Sequence, residues 1–269
     1  MAGRARLDAE LVRRGLARSR AQAADLIEAG HVLVAGQAAE KAATQVGQDA
    51  AILVRPGLEE PPYASRGGRK LAGALTAFPD LSVAGRQCLD AGASTGGFTD
   101  VLLRAGAAHV IAVDVGYGQL AWKLRVDPRV TVLDRVNVRN LRPEDIVPAP
   151  DLVTADLSFI SLTQVVGALA RCATPDADFL LLVKPQFEVG KGLVGKGGVV
   201  TDPALRASAV RAVAHAAAND PGLGVRGVAA SALPGPSGNV EYFLWLRRGA
   251  PPLDEAALAR AIAEGPEQR

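Results

Sequence analysis

D-A-G-A-S-T-G-G-F-T-D, residues 90–100, is the stretch on which the fold of this 269-residue chain turns. Residues 83–89 before it read as a buried strand, with 87–90 as its paired core, and Val101, Leu102 and Leu103 after it open a helix. A glycine-rich turn between strand and helix lets a ligand approach bare backbone. The helix start adds free N–H groups at the positive end of its dipole. The run lacks the G-K-[ST] of a phosphate-cradling loop, and its glycines are not spaced G-x-G-x-x-G, which argues against nucleotide hydrolysis and against dinucleotides. It suits S-adenosylmethionine, with Asp90, Gly92, Ala93, Ser94, Gly96, Gly97 and Phe98 as candidate contacts. Taken alone, the same residues also fit a plain tight turn.

Working outward, apolar strand-like runs alternate with helical ones. Strands are predicted at His109–Asp114, Val130–Asp134, 152–156 and 179–184. Asp202 and Pro203 supply an N-cap and a first-turn proline for a helix reaching Ala218. Residues 224–230 and 240–246, joined through the turn at 234–238, look like an antiparallel pair closing the sheet. The expected class is α/β, a Rossmann-like doubly wound sheet with an antiparallel last strand. That is the layout of class I S-adenosylmethionine-dependent methyltransferases rather than of dehydrogenases.

Ligands of open α/β sheets lie beyond the carboxyl ends of the strands, where this chain puts Asp90, Asp114, Asp134 and Asp156. Asp114, with Val115 beside it, is placed to take ribose hydroxyls, and Asp134 to meet an adenine amino group. Strand-end aspartates also cap helices, a role open to any one of the four. Asp156 runs on into L-S-F-I-S, and the fifth strand ends in K-P-Q-F-E, residues 184–188, whose proline leaves Lys184 no helix to lie along. Lys70, just before a helical run, and Glu241, opening the last strand, complete a Lys-Asp-Lys-Glu set. Arginine outnumbers lysine 24 to 6, so a retained lysine marks a place where an ammonium able to lose its proton is wanted. A ribose 2′-hydroxyl is a poor nucleophile, and methyl transfer to it gains from a group that accepts its proton. Lys184 serves only when neutral, the form that desolvation at an apolar strand end favours.

The first segment reads as two short helices and a strand pair. Leu7, Leu11 and Leu16 mark an apolar face, Gly15 and Gly30 stop the helices, and Ser19 with Gln22 fits a capping box. Arg4, Arg6, Arg13, Arg14, Arg18 and Arg20 face only Asp8 and Glu10 there, which fits either a nucleic-acid footprint or a solvated helix face. Helix, arginine-rich turn, helix and G-x-V-x-V-x-G resemble the small αL RNA-binding module of the S4 family. The resemblance implies Arg4, Arg6, Arg14, Arg18, Arg20 and Lys41 as RNA contacts. The domains are accordingly expected at 1–55, a linker at 56–64, the methyltransferase at 65–250 and a C-terminal helix or tail at 251–269. The glycine-lysine stretch 190–198 reads as a lid over RNA or as a mere connector. No metal spacing is present, and Cys88 and Cys172 look like free thiols of a reducing, cytoplasmic setting. Neither an apolar span nor a basic amphipathic helix of the kind a membrane-lytic protein needs is evident.

At full length the chain resembles the TlyA, or haemolysin A, family of ribosomal RNA cytidine 2′-O-methyltransferases. The motifs are R-L-D-A-E-L-V-R-R-G-L-A-R-S-R at 6–20, S-R-G-G-R-K-L at 65–71, D-A-G-A-S-T-G-G-F-T at 90–99, D-V-G-Y-G-Q-L at 114–120, A-D-L-S-F-I-S at 155–161, L-V-K-P-Q-F-E at 182–188 and P-G-P-S-G-N-V-E-Y at 234–242. The resemblance implies an FtsJ-like domain and a catalytic tetrad at Lys70, Asp156, Lys184 and Glu241. It also implies S-adenosylmethionine as donor and rRNA within ribosomal subunits as substrate, without metal or membrane. Where some actinobacterial relatives carry Arg-x-Trp-Val before the S-R-G, this chain has Pro61, Pro62, Tyr63 and Ala64. A coupling role for that linker is therefore not carried over.

Overall fold

The computed structural model describes residues 4–17, 20–28, 30–47, 49–55, 63–235 and 237–265. Its contacts divide the chain into two units, Met1–Pro62 and Tyr63–Arg269.

The first unit runs β1 (Arg4–Arg6), α1 (Leu7–Arg13), α2 (Arg20–Glu28), β2 (Val32–Val34), β3 (Gln37–Ala38), β4 (Gln45–Gly47) and β5 (Ile52–Val54). β1 pairs antiparallel with β4, and β2 sits between β3 and β5. Leu7 and Leu11 of α1 and Ala23 and Ile27 of α2 share one face each at i, i+4, and bury it against Val32 and Val46. Gly15 and Gly30 end the helices in the left-handed region. Leu16 N–H reaches Leu11 O and His31 N–H reaches Leu26 O, which satisfies carbonyls the helices leave open. Leu16 therefore lies beyond the helix and is exposed, not on its apolar face. The expected cap at Ser19, the contact at Arg18 and residues 56–62 of the linker fall outside the described residues.

The second unit is a seven-stranded sheet in the order β11-β12-β10-β9-β6-β7-β8. Its strands are β6 (Gln87–Ala91), β7 (His109–Asp114), β8 (Val130–Asp134), β9 (Leu152–Ala155), β10 (Asp178–Val183), β11 (Leu223–Ala230) and β12 (Tyr242–Arg248). β6 to β10 are parallel, while β12 runs antiparallel to both β10 and β11. Side chains alternate between two cores. Phe179, Leu181 and Val183 of β10 meet α6 (Val166–Cys172), α8 (Pro203–Asn219) and α9 (Glu255–Ala263), while Leu180 and Leu182 meet α3 (Gly67–Ala77), α4 (Gly97–Arg104) and α5 (Trp122–Arg125). Each such leucine, fully buried, contributes about 1.5–3 kcal/mol.

Three expectations change. β6 spans Gln87–Ala91, in line with the strand read at 87–90, and does not reach back to 83, because Gly85 turns the chain at φ 76° and binds Gly106 O. Lys70 lies inside α3, not before it. Pro185 opens a one-turn helix, α7 (Pro185–Glu188), instead of barring one, as the first helical position needs no N–H. The segment expected as a C-terminal helix or tail holds α9, whose Leu258 and Ala261 are core residues, and Tyr63 packs against the core on the α3 side.

Candidate active site

The glycine run follows β6 at the centre of the sheet. Gly92, at φ 87°, passes so close to β9 that a Cβ would lie 2.5 Å from Asp156 O; at Gly96, φ 96°, a Cβ would collide with Leu124. At Gly97 one would fall 2.8 Å from Gly68 N, so the starts of α3 and α4 touch backbone to backbone. Only glycine fits these positions, and they leave the backbone open to close approach. The Gly92 and Ala93 N–H groups are themselves spent on Val113 O, and that of Gly96 on Ala93 O. Asp114 holds the turn open: Ser94 N donates to Oδ2 (2.8 Å) and Gly116 N to Oδ1 (2.7 Å). Each carboxylate oxygen keeps a second lone pair for a ligand hydroxyl. Asp134 is already engaged by Arg125 and by Gly118 N, and the Arg125 guanidinium holds its carboxyl below the usual range. Val115 is exposed next to Asp114, and Tyr117 beyond it lies under Arg135, 4.3 Å from ring to guanidinium. Ala93 and Phe98 are buried, and the Phe98 ring stacks on Phe243 at 6.0 Å in the core. Any contact Phe98 makes with a ligand therefore falls to its backbone.

Asp90 ends in a wholly buried carboxyl. Thr99 Oγ1 donates to its Oδ2 at 2.6 Å, while Oδ1 has no hydrogen-bond partner among the described residues. Burial, with a smaller push from the charges of Asp156 and Asp114, outweighs the Thr99 bond and raises the acid to about 7.

The Lys-Asp-Lys-Glu set assembles beside this cradle as two ion pairs. α3 turns Lys70 inward with Leu71 and Ala74, and its Nζ meets Glu241 Oε2 at 2.6 Å, both side chains buried. Lys184, one residue past β10, meets Asp156 Oδ1 at 2.5 Å and donates to Ser158 Oγ at 3.1 Å. The register explains the gathering. Leu181 pairs with Ala155 and Val183 with Tyr242, so Asp156, Lys184 and Glu241 leave three neighbouring strands at the same end of the sheet. Such strands lie about 4.8 Å apart. Asp156 N–H binds Ala91 O, which fixes this end of the set to the strand that carries the glycine run. Asn239 anchors the last residues of the glycine-lysine stretch, accepting from Val200 N and donating to Gly198 O. Residues 191–193 and 196–198 there form two short 3-10 turns.

Three residues near the set were not singled out from the sequence. Ser158 is the hydroxyl on Lys184. Phe159 stands at φ 65° with 92% of its surface exposed, 5.3 Å from the Phe187 ring. Glu188 bonds Ser161 and Leu162. An aromatic between two serines past a strand end was the available signal for the second.

In the first unit, Arg6 and Arg20 converge on buried Asp8 at 3.0 and 2.9 Å. Burial opposes ionisation of Asp8, but the two guanidiniums and Ala9 N–H overcome it and bring the carboxyl to about 2. Arg14 is turned inward onto Glu10 and Ala50 O. Arg4 and Lys41 are exposed.

Comparison with known proteins gives two family matches, the FtsJ-like methyltransferase over residues 63–248 and the S4 domain over 5–52. The chain is 62% identical to the 16S/23S rRNA (cytidine-2′-O)-methyltransferase TlyA of Mycobacterium tuberculosis over 272 residues, covering 99% of this chain and 100% of the relative. It is 37% identical to Hemolysin A of Brachyspira hyodysenteriae, covering 88% and 98% of the two chains. A solved structure from Streptococcus thermophilus that carries the hemolysin label is 35% identical, with a TM-score of 0.76 over 98% of this chain and 96% of that one.

Proposed function

Since the chain belongs to the TlyA family of FtsJ-like methyltransferases, we propose that it methylates the ribose 2′-oxygen of cytidine in small- and large-subunit ribosomal RNA, within ribosomal subunits and in the cytoplasm. The observation that carries the reading is the pair of ion pairs, Lys70–Glu241 and Lys184–Asp156, set beside a bare-backbone cradle. S-adenosylmethionine supplies a methyl group on a sulfonium. The cradle suits it: the turn 92–97 leads into the N-terminus of α4, whose dipole favours a carboxylate, Asp114 offers lone pairs to ribose hydroxyls, and the orphaned Asp90 Oδ1 suits a cation. The Lys184 amine takes the 2′-hydroxyl proton as the methyl arrives, so the oxygen that gains the methyl loses its hydrogen. Asp156 orients Lys184, and Lys70 with Glu241 fixes the neighbouring wall. Phe159 offers an aromatic face on which a splayed base can stack. The S4 domain brings the RNA by its phosphates and supplies register.

The direct test maps 2′-O-methyl positions in rRNA of subunits treated with the protein and labelled donor. Label on a base, or on no rRNA at all, would refute the reading. A membrane-lytic activity, suggested by the Brachyspira name, finds no helix among the described residues long and apolar enough to cross a membrane.

Two further outcomes are expected. Asp90, at about 7 without donor, is largely protonated at pH 6, and a cation beside it favours the carboxylate. Donor binding at pH 6 should release up to one proton, seen in calorimetry as a dependence on buffer ionisation heat. Affinity should rise from about pH 5 to 7 and level off above. Asp90→Asn should abolish both effects; an unchanged pH profile would remove Asp90 from the donor site. The linkage to folding runs the other way. An acid raised in the fold contributes stability that is full below the ordinary carboxylate range and lost as pH rises through about 7.

Alanine at Arg6 and Arg20 would strand buried Asp8, so RNA contact is better tested at Arg4 and Lys41. The double Arg4→Ala, Lys41→Ala variant should bind rRNA with a salt slope shallower by about one unit per lost phosphate contact, donor binding unchanged. An unaltered slope would move the RNA surface away from these two residues.

A further inference from the structure

Two strand-end loops carry the Lys184–Asp156 pair, and they are fastened to each other by a residue that reaches neither. Glu188 is the last residue of α7, one turn after Lys184. Its Oε1 accepts from Leu162 N at 2.8 Å, and its Oε2 accepts from Ser161 Oγ at 2.5 Å. Ser161 in turn accepts from Thr163 N at 3.1 Å as the cap of the 3-10 turn Leu162–Gln164. The bonds thus span from five residues past Asp156 to four past Lys184. Between this clamp and the strand ends lie Ser158 on Lys184 and the Phe159–Phe187 ring pair.

We infer that Glu188 is a positioning residue for the methyl transfer: by binding Ser161 and Leu162 it sets the separation of the β9 and β10 loops, and with it the aim of Lys184 and the place of Phe159. The physical need is clear. Phe159 is held at a positive φ that an aromatic residue adopts only when its surroundings impose it, and its side chain gets no support from burial. Lys184 has a flexible four-carbon stem whose Nζ is fixed by Asp156 and Ser158, both on the loop that Glu188 grips. Releasing that loop leaves the Lys184 amine present but misdirected. Burial, against the Ser161 and Leu162 bonds, raises the Glu188 carboxyl above its usual range, as fits a group kept for its bonds to neutral donors rather than for an ion pair.

The proposal rests on the 2′-O-methylation reading, and the test separates the two. Single-turnover methylation of ribosomal subunits would be measured for the parent, Glu188→Ala, Glu188→Gln and Ser161→Ala, with donor affinity by calorimetry and Tm alongside. A parent that transfers no methyl to rRNA ribose sinks the functional reading itself. With an active parent, Glu188→Ala should lower the rate of transfer by about ten- to a hundredfold, the scale on which a misplacement of an ångström acts. Donor and subunit affinities should stay within about twofold. Glu188→Gln, whose amide can still accept from Leu162 N and donate to Ser161 Oγ, should recover most of the rate. Ser161→Ala, which removes one strut and leaves the fold intact, should show a smaller loss of a few-fold. Should Glu188→Ala fail to fold, the Gln and Ser161 variants decide. Parental rates in Glu188→Ala or Ser161→Ala, or a Gln variant as impaired as the Ala one, would overturn the assignment.

Discussion

Lys184→Arg is expected to cut methyl transfer by about 100-fold or more, the usual cost of losing general-base help, or about 2.7 kcal/mol of barrier. The guanidinium keeps the charge and still reaches Asp156, so the fold and donor affinity should remain close to parental. It cannot shed its proton in the working pH range, and raising the pH should not restore the rate. The measurement is single-turnover methylation across pH 6–10, with donor affinity by calorimetry. A variant that turns over near the parental rate would show that the hydroxyl proton leaves by another route, and Lys184 would become a fixed charge beside Asp156.

The second large effect concerns the buried pair. Glu241→Ala leaves the Lys70 ammonium, 5% exposed, without its carboxylate. Breaking a buried pair from one side costs about 3–5 kcal/mol, a fall in Tm of roughly 10 °C for a domain this size. Removing both charges is different. Lys70→Met combined with Glu241→Ala should regain most of the lost stability and none of the activity. If Glu241→Ala melts like the parent, water must reach Lys70 in place of the carboxylate. If the double variant methylates normally, the pair is scaffolding and takes no part in the reaction.

The parallel strands were legible because each is an apolar run closed by a charged residue, an acid in four and Lys184 in the fifth, and the sheet's burial on both faces demands such runs. The four charged residues were legible as residue types, Asp156 and Lys184 at strand ends, Glu241 opening the last strand and Lys70 before a helical run. Their partnership was not. Register decides that Lys184 falls to Asp156, and the packing of α3 on the sheet that Lys70 falls to Glu241; both are long-range contacts that no local window contains. Helix α3 was read too short for a physical reason. Its first residues are Gly67 and Gly68, poor helix formers. Gly68 is there for packing, since a Cβ would strike the Tyr63 ring and the backbone at Gly97. Tertiary contact overrides propensity, and Lys70 ends up within the helix. Phe98 shows the reverse, a residue of the glycine run whose ring belongs to the core and whose backbone alone is left for a ligand. Phe159 escaped notice because its exposure follows from one dihedral angle, which the sequence does not display.

The Lys70–Glu241 bond spans 171 positions of chain. A polypeptide is made from its amino end, and domains fold as units in that order. The RNA-binding module is therefore complete when less than a quarter of the chain exists, whereas the reaction centre must wait for β12, almost at the finish. A growing chain completes its S4 domain long before it completes the Lys-Asp-Lys-Glu set. A polypeptide truncated ahead of Glu241 would carry the S4 domain without the Lys70–Glu241 pair.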